Sequence, residues 1–274
     1  MRVVGPLIAL PAKENGDRQF VMALARGLEI LRAFHPDDIA LGNNEIASRT
    51  GFPKPTVSRL TYTLTRLGYL EYLPRLERYQ LGASVLSLGY AFLANMDARE
   101  IARASMQEIA EIALGSVALT SRDRLHMIYR DVRHSSRSVR VRLDVGSRIP
   151  VGTSAAGMAA IHGLPADERE FLLDAIRGRF PETWSITEKL VHETAEHIEK
   201  HGFCVVRGGV YPDSIAVAAP FVAPDGSSVL AFNCASLIRD LPDERIYAQV
   251  GPMLVDMASS VRTELARRNF GILR

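Results

Sequence analysis

"GNNEIASRTGFPKPTVSRLTYTLTRLGYLEY", Gly42 to Tyr72, sets two short apolar-periodic segments on either side of a single glycine. Asn43 or Asn44 can cap a helix through Thr50, because a short side-chain acceptor there satisfies an amide that has no partner inside the helix. Gly51 supplies a sharp turn. Pro55 fits the first turn of the next helix, where its missing N–H is no loss. That helix continues to Leu67 and stops at Gly68. At about 100° per residue, Val57, Leu60, Leu64 and Leu67 gather on an inward face, and Ser58, Arg59, Tyr62 and Arg66 on the opposite one. Arginine, hydroxyls and an aromatic without a carboxylate suit a DNA major groove. There Arg bonds guanine edges in bidentate fashion, and Ser, Thr and Tyr bond phosphates. Taken alone, such a face also reads as merely solvated.

The flanking segments decide between the two. Upstream, "FVMALARGLEILRAFH" (20–35) places Val21, Leu24, Leu28 and Leu31 at helical spacing, and His35-Pro36 ends that helix. Downstream, "YLEYLPRLERYQLG" reads as two strands, Tyr69–Leu73 and Arg78–Leu81, with Arg75 and Arg78 at the hairpin tip. Helix, helix, turn, helix and hairpin make a winged helix-turn-helix, a motif with a groove-docking geometry.

A chain of 274 residues favours two domains. Hydrophobic content of 47% and charged content of 23% are ordinary for a globular protein, and a net charge of +2 names no partner, so any basic patch is local. Cys204 and Cys234 lie in apolar runs and read as buried thiols in a reducing, cytoplasmic setting. No apolar stretch approaches the ~20 residues of a membrane span. Residues 1–19 fit a flexible arm better than a signal peptide, since Pro6 breaks their short apolar run.

Residues 83–114 read as a helix linking two domains, with an apolar stripe that can pair across a dimer axis. From 115 onward the pattern becomes α+β with an antiparallel sheet. "SVALTSRDRLHMIYRDV" suggests a hairpin turning at Arg122-Asp123, and "SVRVRLDVG" alternates as a half-buried strand. A strand ending near Pro150 feeds "VGTSAAGMAA", where Thr153 or Ser154 can cap a small-residue helix. The first amides of such a helix point outward and carry partial positive charge. The run Thr153, Ser154, Ala155, Ala156 and Gly157 lets a carboxylate approach them closely. The alternative is that the small residues only let the helix pack tightly. Helices follow near 166–177 and 187–201, then strands "FCVV", "SIAVAAPFV" and "SVLAFNCAS", and a long helix from about Asp243 to Arg267.

"RGLEILRAF", "NEIASRTGFPKPTVSRLTYTLTRLGYLE" and "RYQLG" resemble the DNA-binding domain of IclR-family bacterial transcriptional regulators. The family's Gly-hydrophobe-Pro-Lys-x-Thr-Val-x-Arg-Leu pattern stands at Gly51 to Leu60. "VGSRIPVGTSAAGMAAIHGLPADER" and "HGFCVVRGGVYPDSIAVAAPFVAPDGSSVLAF" resemble its second half, so the likeness runs from Phe20 to the last helix. It implies domains at 20–82 and 115–274, the second GAF-like and effector-binding, joined through 83–114. It also implies homodimers or dimers of dimers, operator DNA as partner, and no cofactor. Lys54 and Thr56 join the DNA-facing set through that pattern. The pocket wall opposite the 153–157 segment falls on Ala216, Asn233 and Ala235. Members with a cysteine and serines there hold small keto acids. Their replacement here argues for a bulkier organic acid, an aromatic one included, with Asn233 bonding a carbonyl or hydroxyl and Arg207 near an anion; the alternative is a surface Arg207 and a structural Asn233.

Rival chemistry is thin. "HETAEH" (192–197) spaces His192 and His197 by five, where one helix face needs four, and His197 and His201 lack a third ligand. Ser154 has no flanking glycine of a nucleophile elbow. No catalytic or metal residue is assigned. The alternative function is a small-molecule enzyme with an appended helix-turn-helix.

Overall fold

The computed structural model describes residues 19–94, 97–137, 143–226 and 228–268. The chain divides after Ala94 into two compact units. The expected arm, apart from Gln19, and the core of the "SVRVRLDVG" strand lie outside the described residues. Leu143 and Asp144, at the end of that stretch, are not in a strand.

The N-terminal unit runs α1 (Met22–Arg32), α2 (Asn43–Thr50), α3 (Lys54–Arg66), β1 (Leu70–Leu73), β2 (Arg78–Leu81) and α4 (Ala83–Ala94). Its core is small: Ile30, Leu41, Ile46, Val57, Leu64 and Leu70 are buried together. Full burial of such a side chain contributes roughly 1.5–3 kcal/mol. Gly42, not Asn43 or Asn44, caps α2. Its amide donates to the Glu45 carboxylate at 2.8 Å, so the acidic residue three positions on does the capping. Gly51 takes φ +70° between α2 and α3, as the turn requires. An antiparallel bridge between Leu41 and Tyr79 stitches the hairpin to the start of α2.

Two apolar stripes are not where periodicity puts them. Leu67, just past α3, is 61% exposed, while Thr61 is fully buried in its stead and bonds the Val57 carbonyl at 3.0 Å. The hydroxyl satisfied within its own helix lets threonine occupy a core position. Leu24 and Leu28 on α1 are also exposed, and so are Leu86 and Leu88 on α4.

The C-terminal unit begins with α5 (Asp97–Ala113), so the 83–114 segment is two helices assigned to different units rather than one linker. α5 buries Ala98, Ala102, Met106, Ile109, Ala110 and Ala113, a stripe that packs on a sheet. The sheet contains β3 (Ser116–Asp123), β4 (His126–His134), β5 (Arg148–Pro150), β6 (Cys204–Arg207), β7 (Ser214–Val222) and β8 (Val229–Leu237). Its order is β5-β4-β3-β8-β7-β6, and every neighbouring pair is antiparallel. The β3–β4 turn falls at Arg124-Leu125, two residues later than expected, with Arg124 at φ +56°. α6 (Ala155–Gly163), α7 (Ala166–Arg179) and α8 (Trp184–His201) follow β5. The final helical run is α9 (Asp243–Arg245), a π turn over Ile246–Val250, and α10 (Gly251–Arg267). Pro252 near the start of α10 lacks an N–H to donate back into that turn, which fits the break in α-helical bonding.

Strand alternation sorts the sheet into two faces. Ala118, Ala218 and Ala231 pack with α6, whereas Phe221 and Phe232 stack edge to face with ring centroids 5.6 Å apart. Both cysteines are buried free thiols, and burial pushes each up to about 12, which makes them unreactive. No helix among the described residues is long and apolar enough to cross a membrane.

Candidate DNA-reading face and ligand cavity

α3 buries Val57, Thr61 and Leu64 against the small core, which turns the remaining positions outward. Lys54, Ser58, Arg59, Tyr62 and Arg66 are exposed, and Thr56 is half-buried at the first turn. Three cations and no carboxylate lie on the helix, so its outer face is positive throughout. Its sequence supplies donors for phosphate and for base edges on one rigid element.

The hairpin tip is narrower than its sequence suggests. Arg75 is exposed in the turn. Arg78 opens β2, and its guanidinium turns back to donate to the Ala40 carbonyl at 2.9 Å and to meet Glu45 at 3.2 Å. Glu45 thus holds both the α2 cap and the hairpin. The Arg78 side chain seats the wing on α2 rather than extending from the tip.

A second polar anchor fixes α2 against the end of α1. Arg49 bonds the Ala33 carbonyl at 2.8 Å and pairs with both oxygens of Asp38. The Arg49 bond, helped by the His35 amide, holds the Asp38 carboxyl down to about 2.

Within the C-terminal unit a cavity of about 820 Å³, counting its open mouth, lies between α6 and the sheet. Ser154, Ala155, Ala156, Ala216, Asn233 and Ala235 line it together. Two other expected residues do not. Thr153 turns its carbonyl toward Gly209, where an added Cβ would come within 2.2 Å of it. Gly157 is buried against Val151, whose carbonyl oxygen would lie 2.0 Å from an added Cβ. Within the small-residue run, Gly157 is needed for packing, and Ala155 and Ala156 line the cavity.

Ser154 is the N-cap of α6. Its hydroxyl donates to the Pro150 carbonyl at 2.5 Å and accepts from the Gly157 amide at 3.1 Å. The first helical bond runs from Met158 to Ser154, so the Ala155 and Ala156 amides precede it at the cavity wall. Arg207, expected near an anion, is outside the cavity and pairs with Asp243 on the surface at 2.5 Å. Strand alternation explains this: Val206 points in, so its neighbour points out.

Sequence reasoning missed Tyr129, Leu143, Ile149 and Val206, which form much of the cavity wall. Tyr129 is 3% exposed, and burial raises its hydroxyl to about 12, against a smaller opposing effect of its hydrogen bond with Asn233. A lone tyrosine in the otherwise aliphatic inward set of "HMIYRDV" was the available signal. Histidines 197 and 201 form an aromatic cluster with Phe203 and Tyr247. There His197 bonds the Phe203 carbonyl and the Tyr247 hydroxyl, both at 2.9 Å. Among the described residues no group of three or more His, Cys, Asp or Glu is placed to hold a metal.

Two family models match the chain: the IclR helix-turn-helix domain over residues 23–74 and the bacterial transcriptional regulator IclR C-terminal domain over residues 90–263. The HTH-type transcriptional regulator TsaQ1/TsaQ2 of Comamonas testosteroni is 30% identical over 89% of this chain and 88% of its own. The crystal structure of an IclR family transcriptional regulator from Brucella abortus superimposes with a TM-score of 0.85 at 42% identity, covering 93% of this chain and 96% of that one. A more distant structure, an IclR homologue from Microbacterium hydrocarbonoxydans complexed with 4-hydroxybenzoate, shares the fold at a TM-score of 0.67 and 18% identity. It covers 89% of this chain and 99% of that one.

Proposed function

The chain belongs to the IclR family of DNA-binding transcriptional regulators, and we propose that its grip on operator DNA is set by a small organic acid bound between α6 and the sheet. The observation that carries the DNA half is the carboxylate-free outer face of α3. Arg59 is the principal base-reading or phosphate residue in this account, with Lys54, Thr56, Ser58, Tyr62 and Arg66 around it and Arg75 on a phosphate. Selection of bound fragments from a random DNA pool tests this. One near-palindromic site should emerge, and its affinity should fall steeply with salt. Sequence-independent recovery would contradict it.

The effector half is supported by the cavity itself. A carboxylate facing the Ala155 and Ala156 amides gains the charge of a helix start. The apolar wall of Leu143, Ile149 and Val206 takes the body of an aromatic or branched acid, and a relative's complex with 4-hydroxybenzoate agrees. A thermal-shift comparison of benzoate, 4-hydroxybenzoate and glyoxylate should favour the larger acids, because a ligand that binds only the folded state raises its stability.

The protein acts in this reading as a cytoplasmic homodimer, or a dimer of dimers. Leu24 and Leu28 on α1 and Leu86 and Leu88 on α4 are exposed, an apolar surface suited to a second copy. Two α3 helices related by a twofold read two half-sites about one helical turn apart or a multiple of it. The relatives above are regulators, so nothing favours the alternative of an enzyme with an appended domain.

A further inference from the structure

We propose that Asn233 selects the effector: the acid is a monoanion bearing a hydroxyl on the end of its body away from the carboxylate, and that hydroxyl donates to Asn233 Oδ1. The proposal rests on the acid-effector reading above and goes beyond it to the chemistry of the other end.

Asn233 sits at the middle of β8, paired in register with Ala118 on one side and Ala218 on the other. Those neighbours offer only methyl groups on the cavity face. The Asn233 side chain is 2% exposed, lines the cavity, and its Oδ1 is buried without a hydrogen-bond donor from the protein. Tyr129 beside it shares a hydrogen bond with the same amide, so one end of the group is engaged and the other is left open. Whatever fills this part of the cavity has to donate to that oxygen: water in the free protein, or a ligand hydroxyl in the complex.

Charge narrows the class further. The residues known to line the cavity include no lysine, arginine or histidine, and the one charged side chain among them is the exposed carboxylate of Asp213. One carboxylate can be held by the amides at the start of α6. A second, placed at Asn233, would meet a carbonyl oxygen with no cation to offset it. A dicarboxylate is therefore refused, and a body ending in C–H leaves the buried acceptor unpaired. Leaving a buried acceptor unpaired is costly enough to change an affinity about tenfold.

Two matched series test this by isothermal titration calorimetry on the full chain: phenylacetate, 4-hydroxyphenylacetate and 4-carboxyphenylacetate, and hexanoate, 6-hydroxyhexanoate and adipate. In at least one series the hydroxy acid should bind about tenfold or more tighter than its parent, and the diacid should bind more weakly than both. Asn233→Leu should remove the preference for the hydroxyl while leaving the parent acid bound. Equal affinity of parent and hydroxy acid for the wild-type chain overturns the proposal, as does a preference that survives in Asn233→Leu. If that variant does not fold, the wild-type ratio decides alone. If no member of either series binds the wild-type chain, the acid-effector reading itself fails, an outcome distinct from parent acids that bind without regard to the hydroxyl.

Discussion

In the N-terminal unit the side chains proposed to contact DNA point away from a small core. In the C-terminal unit those proposed to meet the effector line a space that exists only once α6 has settled on the sheet. Arg59 is exposed, and its loss takes nothing from the core, whereas Ala155 and Ala156 are buried and serve packing and cavity at once. Function on a face separates from stability, and function in a cavity does not. Substitutions in the two units should therefore have different signatures.

The largest expected effect is at Gly157. A Cβ there meets the Val151 carbonyl at 2.0 Å, whereas one at Gly178 on α7 meets nothing within 4 Å. Gly157→Ala should destabilise the C-terminal unit by about 1–3 kcal/mol or more. Gly178→Ala should stabilise it by up to about 1 kcal/mol, as glycine is replaced by the best helix former. Thermal melts of the two variants in parallel check both signs. Equal melting temperatures would erase the contrast between cavity and surface.

At Arg59 the order of effects reverses. Arg59→Ala should cost about 1–3 kcal/mol of operator binding per half-site, with the melting temperature unchanged. Fluorescence anisotropy at fixed salt, alongside a melt, would show it. Unchanged operator affinity removes Arg59 from its role.

The hairpin allows a finer division inside the N-terminal unit. Arg75→Ala should lower the slope of log affinity against log salt by about 0.9, the signature of one phosphate contact. Arg78→Ala should leave that slope alone and cost about 0.5–1.5 kcal/mol of stability through the lost bond to the Ala40 carbonyl. If Arg78→Ala is the variant that changes the slope, its side chain leaves Glu45 for DNA.

The smallest effect is at Asp38. Its carboxyl is held down to about 2 in the folded chain, below its ordinary value of 3.8. The stabilisation is therefore present at neutral pH and is lost as pH falls from about 4 toward 2. Asp38→Asn should flatten this part of the acid limb in a stability-versus-pH series. An unaltered limb would show that Arg49 does not carry the shift.

The same division explains what the sequence made legible. A helix wheel found the outer face of α3 because that face depends on one helix alone, and the Gly51 turn and hairpin were local signals too. Leu67 was misplaced because the wheel cannot register that the Thr61 hydroxyl satisfies itself and enters the core in its stead. Arg78 was misread for a longer-range reason: its partners, Ala40 and Glu45, lie more than thirty residues away. In the cavity, Ala216, Asn233 and Ala235 were found through family likeness. Tyr129 and Val206 come from strands whose approach to α6 is set by the sheet order, which periodicity does not carry. For Arg207 the sequence left a place near an anion and a place on the surface both open, for want of that same register.

The central claim is that the α3 face and the cavity are two sites with one coupling free energy. It is tested most directly by measuring operator affinity with and without a saturating acid that binds the chain, and acid affinity with and without operator. Linkage requires both to change by the same factor, and typical couplings of about 1–3 kcal/mol correspond to a factor of about 5–150. The account predicts equal factors in that range. An acid that binds the cavity and leaves operator affinity unchanged would contradict it.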